Sequence, residues 1–377
     1  MIEKQFLKLC KDKAYFKNHQ RVLLAVSGGL DSMTLLSFLY KYQKELDIEL
    51  ILAHVNHKQR IEADQEEKQL KEIAQKLGVK ILTSSFSGVF SEKSARDFRY
   101  NFFKKVMQEE ECTALVTAHH ADDQAETIFM RILRGSRLRY LSGMKDRQPF
   151  GSGELIRPLL EFSKTDFPTV FHFEDASNFE NTYFRNRVRN QYFPLLETEN
   201  PRIKQAILDL GVEIAQLQKA LSHLTEDLNT TDIQIFRKQK REVQVFLLQE
   251  YLEKFPDLQL SKAQFEEILH ILNTKTNYHH YLKNKYELIQ DYQTFKIQKI
   301  SPKSDSKKEA ILLQFEDIIE LGGYCFSFGK ELVGGVVQMI PVSRKTSIVL
   351  RHRQSGDKIL LKGHHKKLAR YFIDEKY

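Results

Sequence analysis

Three short polar segments carry the side chains of this 377-residue chain that could take part in chemistry, and each follows a short apolar run. The first lies at residues 27–32 and contains two glycines, which let backbone amides approach phosphate oxygens closely. Asp31 would repel a phosphate unless a bridging Mg²⁺ removed the conflict. The segment is neither a Walker A loop nor GxGxxG. It therefore predicts a metal-assisted phosphate site formed by Ser27, Gly28, Gly29, Leu30, Asp31 and Ser32.

The most acidic of the three segments spans residues 117–127 and follows a later apolar run. Asp123 and Glu126 are three residues apart, so they share one face of the helix that opens there. A carboxylate pair beside a phosphate site can hold Mg²⁺ or grip an ammonium group. His119 would lie at the mouth of the preceding strand. The structural alternative is helix capping by Asp122 or Asp123.

Two further groups of side chains are weaker signals on their own. The third segment, residues 54–60, ends another apolar run, and its His54 lies at the strand edge where ligands bind in an open parallel sheet. Arg96 and Arg99 are three residues apart on a predicted helix, so two guanidinium groups could clamp a phosphate. The alternative is a solvated helix that places Phe98 and Tyr100 in the core.

The elements that must position these segments alternate between strand and helix patterns. Strands are predicted at 22–26, 49–55, 79–82 and 112–118, and helices at 31–42, 62–77, 94–110 and 122–134. This alternation is typical of an α/β fold with a parallel sheet and helices on both faces. All the polar segments then lie at the carboxyl ends of strands.

The rest of the chain divides by composition into three stretches. A loop is predicted at 148–153, followed by a mixed stretch to about residue 200 and a helical pattern from 203 to about 290. Residues 301–308 read as a polar linker, and residues 310–377 favour a small β-rich or α+β domain. We therefore predict a catalytic domain at 1–200, a helical domain at 201–300 and a C-terminal domain at 309–377.

Composition indicates a cytoplasmic protein with a polyanionic partner. The chain lacks a run of about 18 apolar residues, which a membrane span needs. The three cysteines, at 10, 112 and 325, form no metal spacing and are expected to be reduced. The net charge is +8, with basic clusters at 131–147 and 343–377. A solvated charged surface is the alternative for either cluster.

The glycine-rich segment resembles the PP-loop of the N-type ATP pyrophosphatase superfamily. Members bind ATP there and break the bond between the α- and β-phosphates. The resemblance implies a PP-loop nucleotide-binding domain of the adenine nucleotide α-hydrolase type.

Further segments, in this order, are similar to the tRNA(Ile)-lysidine synthetase family. They lie at residues 54–60, 95–100, 117–127, 157–160, 174–178, 185–189, 350–357 and 363–368. Two departures from the family stand out. The stretch 163–173 is shorter than the family's helix there, and Pro168 would break a helix. The C-terminal domain is also expected to be shorter than in other members.

The resemblance implies ligation of free L-lysine to C2 of the cytidine at the first anticodon position of tRNA(Ile) with a CAU anticodon. ATP first converts the C2 oxygen to an adenylate, and the lysine amine then displaces AMP. The expected cofactors are ATP and Mg²⁺. A homodimer is one candidate for the oligomeric state, which the sequence leaves open.

On this basis we assign roles as hypotheses. ATP binding is assigned to residues 27–32 and His54, and metal binding to Asp31 and Asp123. The catalytic set is Asp31, Arg99, His119, Asp123 and Glu126. A carboxylate or phosphate clamp is expected at Arg187 and Arg189. Contacts to tRNA phosphates, which salt should weaken steeply, are expected at Arg134, Arg137, Arg351, Arg353, Lys366 and Lys367.

Three other functions make different demands on the sequence. A tRNA 2-thiolase would need a cysteine pair or an iron–sulfur cluster, and these cysteines are scattered. A glutamine-dependent amidotransferase would need an N-terminal cysteine nucleophile. A non-enzymatic RNA-binding protein would explain the charge but not the phosphate loop with its carboxylates.

Overall fold

The computed structural model describes residues 2–58, 62–87, 91–173, 181, 183–300, 310–321, 324–330, 339–351, 356–361 and 363–375. The chain forms two compact units, Met1–Asp227 and Leu228–Tyr377. The predicted domain boundaries near residues 200 and 300 stay predictions. The predicted linker at 301–308, the segment 174–178 and Arg353 lie outside the described residues.

The first unit is built on a six-stranded sheet with the strand order β3-β2-β1-β4-β6-β5. Strands β1, β2, β3, β4 and β6 are parallel, and only β5 runs antiparallel, against β6. The predicted α/β fold is therefore confirmed. The strands are β1 (Arg21–Ala25), β2 (Glu49–Asn56), β3 (Lys80–Ser85), β4 (Ala114–Val116), β5 (Arg147–Phe150) and β6 (Gly153–Ile156).

Helices cover both faces of this sheet because successive strand residues point to opposite sides. Leu24 and Leu52 pack on the face that also holds Phe38, whereas Leu23 and Ile51 pack on the opposite face. The helices of the first unit are α1 (Ile2–Asp12), α2 (Leu30–Tyr42), α3 (Ala63–Leu77), α4 (Glu92–Glu109), α5 (Ala121–Leu133), α6 (Phe184–Arg187), α7 (Phe193–Glu199) and α8 (Ile203–Leu224).

The stretch 148–153, predicted as a loop, is part of a hairpin: β5 continues to Phe150 and β6 begins at Gly153, so only residues 151 and 152 form a turn and the prediction was wrong for the rest. Gly151 takes a positive φ of 58° at the turn, which suits glycine. A Cβ on Gly153 would lie 2.0 Å from the carbonyl oxygen of Thr113. The glycines that suggested a break therefore serve a tight turn and a close backbone approach, and β6 extends the parallel sheet.

The second unit opens with three helices and a three-stranded antiparallel sheet of order β7-β8-β9. The helical pattern predicted to residue 290 was therefore wrong beyond residue 274. Tyr286 and Leu288 in β8 alternate with more exposed residues and pack into the core of the helices. The elements are α9 (Ile233–Lys238), α10 (Arg241–Leu252), α11 (Lys262–Thr274), β7 (Tyr278–Tyr281), β8 (Tyr286–Gln290) and β9 (Phe295–Lys299).

The C-terminal stretch consists of short antiparallel strand pairs and one helix, as predicted for a small α+β region. Strands β10, β11 and β14 pair with β13, β12 and β15, respectively. These elements are β10 (Ile311–Leu313), β11 (Ile318–Leu321), β12 (Tyr324–Ser327), β13 (Ile348–Leu350), β14 (Lys358–Leu361), β15 (His364–Lys367) and α12 (Leu368–Glu375). Across the described ranges, every helix is too short or too polar to span a bilayer.

Candidate active site

A cavity of about 490 Å³ opens at the carboxyl ends of β1, β2 and β4. The topology of the parallel sheet places it there, because these ends meet at one edge. All three polar segments identified in the sequence contribute to its wall. The lining includes Val26, Ser27, Asp31, Ser32, His54, His57, Lys58, Glu66, Arg99, Tyr100, Thr117, His119, Asp123 and Arg185.

The glycine-rich loop between β1 and α2 curls around the hydroxyl of Ser32. The backbone amides of Ser27 and Gly28 donate to this oxygen at 3.1 and 3.2 Å, and the hydroxyl donates to the carbonyl of Gly29 at 3.0 Å. Gly28 has a φ of 88°, and a Cβ there would lie 2.4 Å from a ring carbon of Phe173. The loop thus requires glycine and turns several amides toward one point, as an anion-binding loop must.

Two histidines form the side of the cavity that follows β2. The ring of His54 is buried and its Nδ1–H donates to the carbonyl oxygen of Val26 at 2.9 Å. Burial lowers the pKa of His54, and burial together with the Arg99 charge lowers the pKa of His57. Both rings are therefore neutral near pH 7, which suits contact with an uncharged base more than contact with phosphate.

Asp31, at the start of α2, lies between two cationic groups. Its carboxylate is 3.1 Å from Nζ of Lys164 and 3.5 Å from Nε2 of His120. Burial opposes ionisation, but the contacts with His120 and Lys164 outweigh it, and the pKa of Asp31 falls below its usual value. The carboxylate is therefore ionised at neutral pH. Lys164, in the turn after β6, was not predicted from the sequence.

His120 is the centre of an acidic cluster that the sequence did not single out. Its ring is 1% exposed, with Nδ1 3.4 Å from Asp122 and Nε2 3.4 Å from Asp123 and 3.5 Å from Asp31. Burial alone would lower the pKa of His120, yet the three carboxylates raise it to about 9. The imidazolium therefore links the phosphate loop to the first turn of α5.

This charged His120 should make stability depend on pH. Its folded pKa of about 9 lies above the roughly 6.5 expected in the unfolded chain, so the stabilisation is full below pH 6.5 and is lost through pH 9. We expect His120→Gln to lower the melting temperature by about 5–10 °C at pH 6.5. That difference should nearly vanish at pH 9.5 in thermal melts of both proteins. A difference independent of pH, or an equal loss in the exposed variant His223→Gln, would contradict the charged state.

Two carboxylates and two arginines form a compact four-charge cluster beside the cavity. Oδ1 of Asp123 accepts from Arg185 and Arg189, each at 3.1 Å. Glu126, only 2% exposed, accepts from Nε of Arg185 at 2.9 Å and from Nε of Arg189 at 2.6 Å. The backbone amide of His120 also donates to Asp123, so helix capping and ion pairing occur together. The predicted acid pair is therefore brought together, with arginines as its partners.

The arginines of this cluster are not the pair predicted from the sequence. Arg185 lies in α6 and Arg189 in the π-helical turn Val188–Tyr192 that continues it, and residues four apart share a helix face. Arg187 lies away from the carboxylates: its guanidinium donates to the carbonyl of Asn181 and lies over Phe184. The i,i+4 spacing of Arg185 and Arg189 was the signal that could have identified Arg185.

His119 faces the cavity in a neutral state. Its Nδ1 is 2.9 Å from the hydroxyl of Thr117. Burial, aided by the charges of Arg157, Arg185 and Arg99, lowers its pKa to about 4, although Asp123 acts in the opposite direction. A neutral imidazole beside the acid pair can accept a hydrogen bond, whereas the neighbouring His120 is already protonated.

Comparison with known proteins identifies the family. A family model described as a PP-loop domain matches residues 1–196. A Streptococcus gordonii (strain Challis) protein named tRNA(Ile)-lysidine synthase is 92% identical over 377 residues, covering 100% of this chain and 89% of that protein. The chain belongs to the tRNA(Ile)-lysidine synthase family. Another relative of that name, from Streptococcus sanguinis (strain SK36), is 64% identical over 376 residues, covering 100% of this chain and 88% of its own length.

A solved structure also resembles this lysidine synthase family member, at a much greater distance. The U34-tRNA thiolase NcsA from Methanococcus maripaludis aligns with a TM-score of 0.44 and 19% sequence identity. The alignment covers 56% of this chain and 78% of that chain.

The residues predicted to contact tRNA lie in both units of this lysidine synthase family member. In the first unit, Arg134 is exposed and lies over the Phe184 ring, and Arg137 is half-buried. In the second unit, Arg351 forms a two-bond pair with Asp357 at 2.8 and 2.9 Å, whereas Lys366 and Lys367 lie on β15. Their role in RNA binding stays a prediction.

Proposed function

We propose that this protein ligates L-lysine to C2 of the cytidine at the first anticodon position of tRNA(Ile) with a CAU anticodon, using ATP and releasing AMP and pyrophosphate. Membership of the lysidine synthase family supports the reaction. The observation that carries the proposal is one cavity lined by both the glycine-rich loop and two members of the four-charge cluster, Asp123 and Arg185. Such a cavity can hold a nucleotide and a small zwitterion side by side.

The reaction needs a leaving group because the C2 carbonyl oxygen of cytidine is a poor one. Attack of that oxygen on the α-phosphate of ATP forms the O–P bond and expels pyrophosphate. The lysine ε-amine then attacks C2, and AMP leaves with the oxygen. In this scheme the amides of the 27–32 loop hold the phosphates, and the charge on Arg99 faces the negative charge that develops there.

Of the two predicted metal ligands, Asp31 is better placed than Asp123 to bind Mg²⁺. Asp31 lines the cavity beside the loop, and its carboxylate contacts are ion pairs with Lys164 at 3.1 Å and with His120 at 3.5 Å. Asp123, in contrast, already accepts from two arginines and a backbone amide. Mg²⁺ commonly uses one or two carboxylates plus substrate phosphates. Asp31 would therefore hold the ion, which when bound neutralises phosphate charge, and Asp123 would not.

We assign lysine binding to the four-charge cluster. Buried charges are stable only when they are paired, and here Asp123 and Glu126 pair with Arg185 and Arg189. Free lysine brings both an ammonium group for the carboxylates and a carboxylate for the arginines. Its entry would exchange internal ion pairs for pairs with substrate without leaving a buried charge alone. Neutral His119, at the edge of this cluster, would offer an unprotonated ring nitrogen as a hydrogen-bond acceptor for the attacking amine, and the proton that the amine loses would pass to water.

The thiolase alternative has less support. Burial raises the pKa of the Cys10 thiol to about 12 and that of Cys112 to about 11, so neither is a ready nucleophile. Cys325 lies in the other unit, and all three cysteines are free thiols. The cytoplasmic location and the homodimer stay predictions.

Labelled lysine incorporation tests the proposed function. The protein is incubated with ATP, Mg²⁺, labelled lysine and an isoleucine tRNA transcript with a CAU anticodon. We expect label in the RNA, dependent on ATP, and none in a matched transcript with a UAU anticodon. Pyrophosphate release without label in the RNA would refute the proposal and favour another PP-loop reaction. RNA binding without pyrophosphate release would favour a non-enzymatic binder.

A further inference from the structure

Three arginines surround the ring of Tyr100 at the edge of the cavity. The guanidinium carbons of Arg96 and Arg99 lie 5.1 and 5.9 Å from the ring centroid. Arg157, which follows β6, interacts with the Tyr100 hydroxyl. Arg99 and Tyr100 line the cavity, Arg96 is exposed on the same helix, and Arg157 is only 4% exposed. We call Arg96, Arg99 and Arg157 the arginine cluster.

The positive charges of the arginine cluster lack anionic partners. Within the part of the chain that the structure describes, no carboxylate lies within 4 Å of any of the three guanidinium groups. Asp146, whose charge does act on Arg157, is already bound by Lys13 at 3.0 Å and by the Tyr15 hydroxyl at 2.9 Å. The arginine cluster therefore differs from Arg185 and Arg189, which are both paired with Asp123 and Glu126.

The lack of an anionic partner is clearest at Arg157. Its Nη1 donates to the carbonyl of Lys145 at 2.7 Å and to the Gln148 side chain at 3.3 Å, both neutral acceptors. Its buried Nε has no hydrogen-bond partner among the described residues. Burial lowers the pKa of Arg157 and of Arg99, which reflects the cost of keeping these cations out of water. Buried cations without acidic partners are expensive unless a ligand supplies the anion.

We propose that the arginine cluster is a phosphate-binding subsite, distinct from the 27–32 loop, that holds a substrate phosphate at the mouth of the cavity. This inference rests on the proposed function for its RNA substrate. Guanidinium groups bind phosphate through paired, charge-assisted hydrogen bonds. The phosphate could come from the RNA backbone or from the nucleotide. Arg96 is exposed and lies outside the cavity lining. This position favours an RNA phosphodiester next to the target cytidine as the source of the phosphate.

Binding measurements without turnover test the subsite on the whole 377-residue chain. Arg96→Ala is compared with Lys105→Ala, which removes one charge from an exposed position on the same helix, where Lys105 pairs with Glu109 at 3.7 Å. The two probes are ATP alone and an anticodon stem-loop RNA with a CAU anticodon. We expect Arg96→Ala to weaken RNA binding about 5- to 20-fold and to lower the salt slope by about one. ATP affinity should stay within about twofold, and Lys105→Ala should change neither affinity.

A second variant tests the same subsite at another member of the arginine cluster. Arg157→Lys preserves the charge but not the guanidinium fork, and its folding is checked by thermal melting. If Arg157→Lys folds, we expect it to bind the stem-loop RNA more weakly than the wild-type protein does, as Arg96→Ala should. If the variants weaken the binding of ATP but not of RNA, the bound phosphate belongs to the nucleotide. Unchanged affinity for both probes in Arg96→Ala would overturn the proposal. A wild-type protein that binds both probes but never incorporates lysine would instead refute the proposed function.

Discussion

Replacing Asp123 with asparagine is expected to reduce lysine incorporation into tRNA by at least about 100-fold. Oδ1 of Asp123 accepts from both Arg185 and Arg189, so an asparagine either turns an NH₂ group toward two donors or offers them a neutral oxygen. Two arginine charges would then share the single charge of Glu126. The lysine ammonium would also lose one of its two carboxylate partners. Steady-state rates with varied lysine should show a higher KM together with a lower kcat.

The matched control for this prediction is Asp209→Asn. Asp209 lies exposed on α8 and accepts from Gln205, so its substitution should leave turnover unchanged. ATP affinity of Asp123→Asn should stay within about twofold of wild type, since Asp123 is linked to Asp31 of the 27–32 loop through His120 rather than directly to the loop amides. Turnover close to wild type in Asp123→Asn would remove Asp123 from the substrate site and leave it as a helix-capping residue.

The location of the site followed from the sequence because it depends on few physical rules. Apolar runs that alternate with amphipathic helices specify a parallel sheet, and a parallel sheet brings the ends of its strands to one edge. Ser27 and His119 follow β1 and β4, His54 lies near the end of β2, and yet all three line one cavity. Their convergence needed no knowledge of side-chain packing.

The partners of the charged groups could not be predicted in the same way. Arg185, Arg187 and Arg189 are spaced two apart, a pattern that would share one face of a strand. The segment is helical in the structure, so Arg185 and Arg189 share a face and Arg187 points elsewhere. Which arginines meet the carboxylates thus depended on a local conformation that the mixed composition left undecided.

The different surroundings of the two adjacent histidines could not be predicted from the sequence either. His119 and His120 have the same neighbours in sequence, but the start of α5 turns one toward the cavity and buries the other among carboxylates. Their pKa values consequently move in opposite directions, to about 4 and about 9. Lys164 reaches Asp31 only through the turn after β6, a tertiary contact with no local sequence signal.

Strands β7, β8 and β9 were missed because their composition is close to that of the preceding helices. Residues 278–299 contain Lys, Gln, Leu and Glu together with aromatic residues. Alternation in β8 is real, with Tyr286, Leu288 and Gln290 buried, but the inward position of polar Gln290 hides it. Gln290 donates to the carbonyl of Lys275, which satisfies its amide nitrogen in the core.

Replacing Asp31 with asparagine is expected to lower ATP-dependent pyrophosphate release by at least about 100-fold. The side chain keeps its size but loses the charge that now faces Lys164 and His120. If Asp31 holds Mg²⁺ against the phosphates, half-maximal activity should also require about tenfold more Mg²⁺, since the site loses its anionic ligand. Pyrophosphate release is measured over a Mg²⁺ titration, with Asp47→Asn, an exposed position in the loop before β2, as control.

Two roles of Asp31 give different outcomes in that titration. A residue that only balances the charges of His120 and Lys164 would lower the melting temperature when neutralised, because two cations would lose their partner. It would leave the Mg²⁺ requirement where it is in the wild-type protein. A residue that binds the metal would shift the Mg²⁺ requirement even where the protein is fully folded. Unchanged Mg²⁺ dependence in folded Asp31→Asn would therefore assign Asp31 to the His120 charge network and exclude it as the metal ligand.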